Sequence, residues 1–216
     1  MRSHPPQDAE STARIEALSD SIFAVAMTLL VLDIKVPAHV GDKNLLPYIA
    51  PVWHHVRTFA VSFFIVGLYW VLHHRVFAFI QRSDRALLWI NLVFMLFVVI
   101  TPFSTGLLGA FDDSRTAITI YGLNVIVLGL ALQGTWWYAT HRHRLVAPGL
   151  ELRLIRSETL RILVMPAVCV LAIAVSFLST TASIGLYLLA PLLYLWPARR
   201  TTGASDDALQ TEQTHQ

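Results

Sequence analysis

The sequence predicts an all-α, polytopic membrane protein with six transmembrane helices per chain, and three observations carry that prediction. Apolar residues make up 55% of the chain and charged residues 14%, far more apolar sequence than a soluble core of this size needs. Six apolar runs follow one another, divided by short segments that carry Pro, Gly or Arg. Basic residues are distributed unevenly about those runs. Arg2, Arg14, Arg75, Arg82, Arg85, Arg142, Arg144, Arg153, Arg156, Arg161, Arg199 and Arg200 fall on one side, and Lys35, Lys43, Arg57 and Arg115 on the other. By the positive-inside rule both termini are expected in the cytoplasm, and only an even number of spans preserves the asymmetry.

Residues 1–13 read as a polar cytoplasmic arm with Pro5-Pro6 and none of the apolar core of a cleavable signal peptide. Residues 14–197 form the six-helix unit, and 198–216 a polar, disordered cytoplasmic tail. The first span covers 14–36, long enough to cross a hydrocarbon core of about 30 Å at ~1.5 Å per residue, and it ends near Pro37. A loop with Gly41 and Pro47 follows, and Pro51 opens the second span, 52–79. The third span, 86–108, holds Asn91 near its start and Thr101-Pro-Phe-Ser-Thr-Gly106 towards its end, where the proline predicts a kink. The fourth, 116–138, closes on Trp136-Trp137-Tyr138, an interfacial aromatic belt. A basic loop with Arg142, Arg144, Arg153, Arg156 and Arg161 leads into a fifth span near 160–178 and a shorter sixth near 182–196.

The first span is more than an anchor. It carries Arg14, Glu16 and Asp20 in its first two turns, and each ionisable group costs about 2.5 kcal/mol or more in a lipid-facing helix, so these groups must face protein or water. Arg14, Leu18, Ser21, Val25, Thr28, Leu32 and Lys35 lie along one stripe with alternating steps of four and three. That is the seam of a helix packed nearly parallel to others. Glu16 and Asp20 fall behind it. On spacing alone the seam fits either an oligomer contact without a pore, or a ring of helices whose Val25 and Leu32 form apolar narrowings with Thr28 between them.

The motif Arg14-x-x-x-Leu18-Ser19-Asp20, followed by Thr28-Leu29-Leu30, resembles the Arg-x-x-x-Phe-Ser-Asp first-helix motif of the transmembrane protein 175 family. Trp70-x-x-His73 is similar to an element of that family's second helix. Leu18 stands where the family usually has Phe, and Val25 where Ile or Leu usually forms the narrow constriction. The resemblance implies a six-helix subunit, four of which surround a cation pore lined by the first helix. The expected protein is a potassium-preferring channel of the cell inner (plasma) membrane, a homotetramer with potassium as permeant ion and the bilayer as its surroundings. Val25, Leu29 and Leu32 are then the candidate gate, and Thr28 and Ser21 the candidate selectivity residues. Arg14, Ser19, Asp20, Trp70, His73 and Asn91 form the candidate polar network that locks the first helix in place. The chain has no Thr-Val-Gly-Tyr-Gly filter, so selectivity is expected to be modest.

Other classes fit less well. A proton-coupled transporter of ions or small solutes would use Asp20, His73 and Glu16 as titrating groups, but the paired broken helices of many transporters are missing from the sequence. The spacing of a Gly-x-Ser-x-Gly turn or a His–Glu metal pair is also missing, so no enzyme is expected. His54 and His73 are separated by about 28 Å along one helix, which keeps the two histidine pairs from sharing a metal. No metal or other cofactor is expected. The single Cys169 has no mate for an intrachain disulfide. A pI near 8.9 arises from arginines beside apolar spans, a topology signal and not a nucleic-acid surface.

Overall fold

The computed structural model describes residues 7–34, 46–111 and 113–194. Among them six α-helices follow in order: α1 (Gln7–Leu29), α2 (Leu46–Phe79), α3 (Arg85–Ala110), α4 (Arg115–Thr140), α5 (Leu152–Ser176) and α6 (Thr180–Leu189). Turns of 3-10 helix extend α1 (Leu30–Asp33), α4 (His141–His143) and α6 (Ala190–Tyr194). Five helical stretches are long and apolar enough to span a bilayer, and the sixth, Thr180–Leu192, is shorter. The protein is a multi-pass membrane protein. Lys35 at the end of the predicted seam, the helix end near Pro37, Gly41 and Lys43 of the first loop, Arg2, Arg199, Arg200 and the rest of the tail lie outside the described residues.

Three boundaries differ from the sequence reading. Helix α1 starts at Gln7, within the segment read as a polar arm, where Gln, Ala and Glu are good helix formers. Helix α2 starts at Leu46 and takes in Pro47 and Pro51. Pro47, in the first turn, forfeits no hydrogen bond, because the first four backbone N–H groups of a helix have no intrahelical partner, whereas Pro51 stands a turn further in and leaves one carbonyl of that first turn without its helical donor. Helix α5 starts at Leu152, so Arg153, Arg156 and Arg161, expected in the loop, stand on its first turns. Leu, Arg and Glu are all good helix formers, and a tertiary contact ties the early turns to α2. The Arg75 guanidinium donates to Glu158 Oε1 at 2.5 Å, with Arg161 3.9 Å away, and only 6% of the Glu158 side chain is exposed. Helices α3 and α4 begin on side-chain caps, Asp84 accepting from the Leu87 N–H and Ser114 from the Ala117 N–H.

Helix α4 is the centre of the bundle, packed extensively on both α3 and α5. Its buried face runs Tyr121, Val125, Leu128, Leu132 and Trp136. Small residues let its neighbours approach. A Cβ at Gly129 would overlap Pro166 Cγ of α5 and come within 2.6 Å of the Tyr69 hydroxyl of α2, which itself donates to the Val125 carbonyl at 3.0 Å. Close backbone approach at small residues is the usual source of stability between membrane helices. Gly129→Val is therefore expected to destabilise the subunit by about 1–3 kcal/mol through overpacking. Thermal unfolding in detergent measures it, and an unchanged midpoint would show that α4 and α5 part there without cost.

Helix α1 is at the opposite extreme. It packs on α2 and α3, yet only 28% of its most apolar stretch is buried, against 50% for α4. One face, Ile15, Ser19, Phe23, Ala26 and Leu30, is buried in the subunit; the other is left exposed among the described residues.

Candidate functional site

The unpartnered face of α1 is the seam read from the sequence. Leu18 is 51% exposed, Val25 56% and Leu32 69%, with Leu29 at 42% beside them, and Arg14, Ser21 and Thr28 are exposed on the same stripe. The 3.6-residue period puts Ile15, Ser19, Phe23, Ala26 and Leu30 on the opposite side, where they are packed. The two hydroxyls on the exposed face are oriented alike. Ser21 donates its proton to the Ala17 carbonyl and Thr28 donates its own to the Val25 carbonyl, each at 2.8 Å. With both protons used inside the helix, the oxygen lone pairs are left to face outward. Such a hydroxyl can only accept there, so it is suited to a cation or a water proton and not to an anion.

The polar groups behind the seam form two short chains of hydrogen bonds. In the first, Trp70 Nε1 donates to Asp20 Oδ1 at 2.8 Å, on the flank where both are exposed. The second is buried. Asn91 Nδ2 donates to Ser19 Oγ at 3.1 Å, and Asn91 Oδ1 faces His73 Nε2 at 2.9 Å, an arrangement that calls for the Nε2–H form of the imidazole. Consecutive residues are about 100° apart on a helix, so Ser19 points in towards α3 while Asp20 points to the side of α2. Trp70 and His73, one turn apart on α2, reach back to this Ser-Asp pair, His73 through Asn91. The imidazole is 1% exposed and sits between rings: Phe94 stacks at 5.4 Å and Phe77 at 4.3 Å, with Phe23 edge-on at 5.9 Å.

Most of the predicted network is thus brought together. Arg14 is not: it projects from the exposed stripe, with no hydrogen bond or ion pair among the described residues. Glu16 is half-buried behind the seam, and His74 stacks on Trp70 at 6.2 Å.

Sequence reasoning missed three features. The aromatic cage around His73 escapes it because Phe23, Phe77 and Phe94 come from three helices and look like ordinary apolar positions. A second polar cluster joins α2, α3 and α4. Thr105 donates to Ser62 at 2.9 Å, Ser62 to Tyr121 at 3.1 Å, and Asn124 Nδ2 to the hydroxyls of Thr101 and Ser104 at 3.0 and 3.3 Å. Its signal was present in the hydroxyls spaced three and four apart around Pro102, a pattern suited to steadying a helix where proline withdraws an N–H. The third is Asp33, whose carboxylate packs directly on Gly106, so that a Cβ on that residue would overlap it. Only the fold brings those two residues together.

The fold and the site define a six-helix membrane protein with one helix face exposed among the described residues and hydroxyl oxygens turned outward along it. Residues 14–102 match the family described as endosomal/lysosomal potassium channel TMEM175. A potassium channel of Streptomyces collinus is 33% identical over 187 residues, covering 85% of this chain and 91% of that one. One of Chamaesiphon minutus is 33% identical over 185 residues, covering 83% and 91%. The crystal structure of a lysosomal potassium-selective channel TMEM175 homolog from Chamaesiphon minutus matches with a TM-score of 0.74 and 31% identity, covering 86% of this chain and 97% of that one. The chain belongs to the TMEM175 family. These relatives are named as channels, not enzymes.

Proposed function

We propose that the chain is the subunit of a potassium-preferring cation channel in the plasma membrane, with both termini cytoplasmic and α1 from each of four copies facing a common axis. The observation that carries this reading is the exposed stripe Leu18–Ser21–Val25–Thr28–Leu32, left unpartnered in a subunit whose opposite α1 face is packed. Its similarity to proteins named potassium channels supports the choice of ion. Val25 and Leu32, with Leu29 at their side, form apolar rings that hinder ions by dewetting. Between them four Thr28 oxygens, their protons held by the Val25 carbonyls, replace part of the cation's hydration; Ser21 repeats the device one step towards Arg14. Ser19–Asn91–His73 and Asp20–Trp70 hold α1 on its own subunit, so that the pore face stays rigid.

The proton-coupled transporter would require His73 to exchange protons with water, and burial between three phenyl rings weighs against that role.

The reading is tested by flux from potassium-loaded liposomes containing the purified protein, with sodium-loaded controls. The channel gives flux that rises without saturation and favours potassium; flux that saturates and requires a proton gradient would sink it. In the same assay Thr28→Ala is expected to lower potassium-over-sodium preference by about fivefold, the equivalent of one net hydrogen bond of ~1 kcal/mol. An unaltered reversal potential would remove Thr28 from the selectivity step.

A further inference from the structure

At the end of the bundle opposite the α1 terminus at Asp33, two connections that are far apart in sequence are joined into one platform. Ile80 and Val146 form an antiparallel bridge, the Gln81 N–H donates to the Leu145 carbonyl at 2.8 Å, and the Arg82 N–H approaches the same oxygen at 3.4 Å. This places Arg82 beside Arg144. The Arg144 guanidinium lies 4.7 Å over the Tyr138 ring, and the Tyr138 hydroxyl donates to Asp84 Oδ2 at 2.6 Å, which brings Arg85 into the same patch. Like charges facing across paired backbone destabilise each other, and the obvious counter-ion here is already committed. Asp84 spends one oxygen on Tyr138 and the other on the Leu87 N–H. Arg82, Arg85 and Arg144 are exposed, and none has a carboxylate partner among the described residues.

We infer that this platform binds the phosphate of an anionic phospholipid headgroup. Guanidinium groups match phosphate oxygens in paired hydrogen bonds, and the start of α3 adds the positive end of its macrodipole. The surroundings favour lipid over a soluble phosphate. Trp89, one helical turn beyond Arg85 on the same face, is 69% exposed, and Leu92 and Leu96 continue that face towards the middle of the span at 49% and 54%. The α3 face therefore presents a cation, an interfacial indole and then aliphatic side chains, in the order of headgroup, glycerol level and acyl chain. On α4, Trp137 stands 60% exposed next to Tyr138. Bound there, the lipid ties the α2–α3 turn to the α4–α5 loop from outside, as the Ile80–Val146 bridge does from inside.

Native mass spectrometry of the purified full chain, titrated with phosphatidylglycerol or phosphatidylcholine, tests the site. Phosphatidylglycerol should be retained over phosphatidylcholine, and the triple variant R82Q/R85Q/R144Q should bind it on the order of a hundredfold more weakly, at roughly a fivefold loss per arginine. Should the triple variant fail to fold, Arg144→Gln alone is expected to lose about fivefold, while Arg144→Lys, which keeps the charge but not the guanidinium fork, loses less. Variants that bind phosphatidylglycerol like the parent protein overturn the site. Displacement of the lipid by millimolar inorganic phosphate, with no preference between the two lipids, overturns the headgroup assignment in favour of a soluble phosphate site.

Discussion

Val25→Asn is expected to raise potassium flux through the assembled protein by roughly tenfold or more, which corresponds to lowering the barrier at that ring by about 1.4 kcal/mol. Val25 is 56% exposed on the outward face of α1, so the amide costs the fold little. In a ring of four, however, it places donors and acceptors where only methyl groups were, and water that an apolar ring repels is retained by a polar one. Leu18→Asn, on the same stripe two turns nearer Arg14, is the control and should change flux much less. Flux measured in liposomes, on protein whose assembly is checked by size exclusion, decides the matter. If Val25→Asn conducts like the parent, the constriction is elsewhere on the helix.

The second large effect is expected at Asn91. Asn91→Leu removes the acceptor for His73 Nε2–H and the donor to Ser19 Oγ in one step. Each group is buried, Ser19 at 0% and His73 at 1% exposure, and a buried polar group left unpaired costs about 1–3 kcal/mol. The loss should therefore be roughly 2–5 kcal/mol in unfolding free energy, seen as earlier thermal unfolding and weaker assembly in detergent. Adding His73→Phe should recover a good part of it, because a phenyl ring suits the space between Phe77 and Phe94 and leaves one fewer group unsatisfied. The double variant also separates the two roles of His73. A structural lock predicts flux that returns with stability, whereas a proton relay predicts a folded protein whose flux stays abolished or loses its pH dependence.

The features legible from sequence were those that repeat along one helix. Leu18, Val25, Thr28 and Leu32 could be placed on one face because a fixed 100° step fixes it, and Ser19 and Asp20 could be marked as polar groups in need of partners because lipid supplies none. Trp70, His73 and Asn91 could be proposed as those partners from their depth in the membrane. What could not be read was which joins which. Ser19 and Asp20 are neighbours in sequence, yet one is buried against Asn91 and the other lies on the flank with Trp70, a division that the 100° step produces once α1 is seated on α2 and α3. Arg14, which looked like a member of the network, points away from it for the same reason.

The sequence by itself determined the number of helices, the family resemblance of the first helix and the stripe of that helix which the described residues leave exposed. Each of these depends on local periodicity or on the energetic demand that a bilayer makes of every residue within it. Tertiary structure decided the rest: the phenyl cage of His73, the Glu158–Arg75 pair that ties the early turns of α5 to α2, the fit of Asp33 against Gly106, and the bridge that brings Arg82 to Arg144. These join residues from different helices, and their distances follow from helix crossing and close packing, which no single stretch of chain encodes.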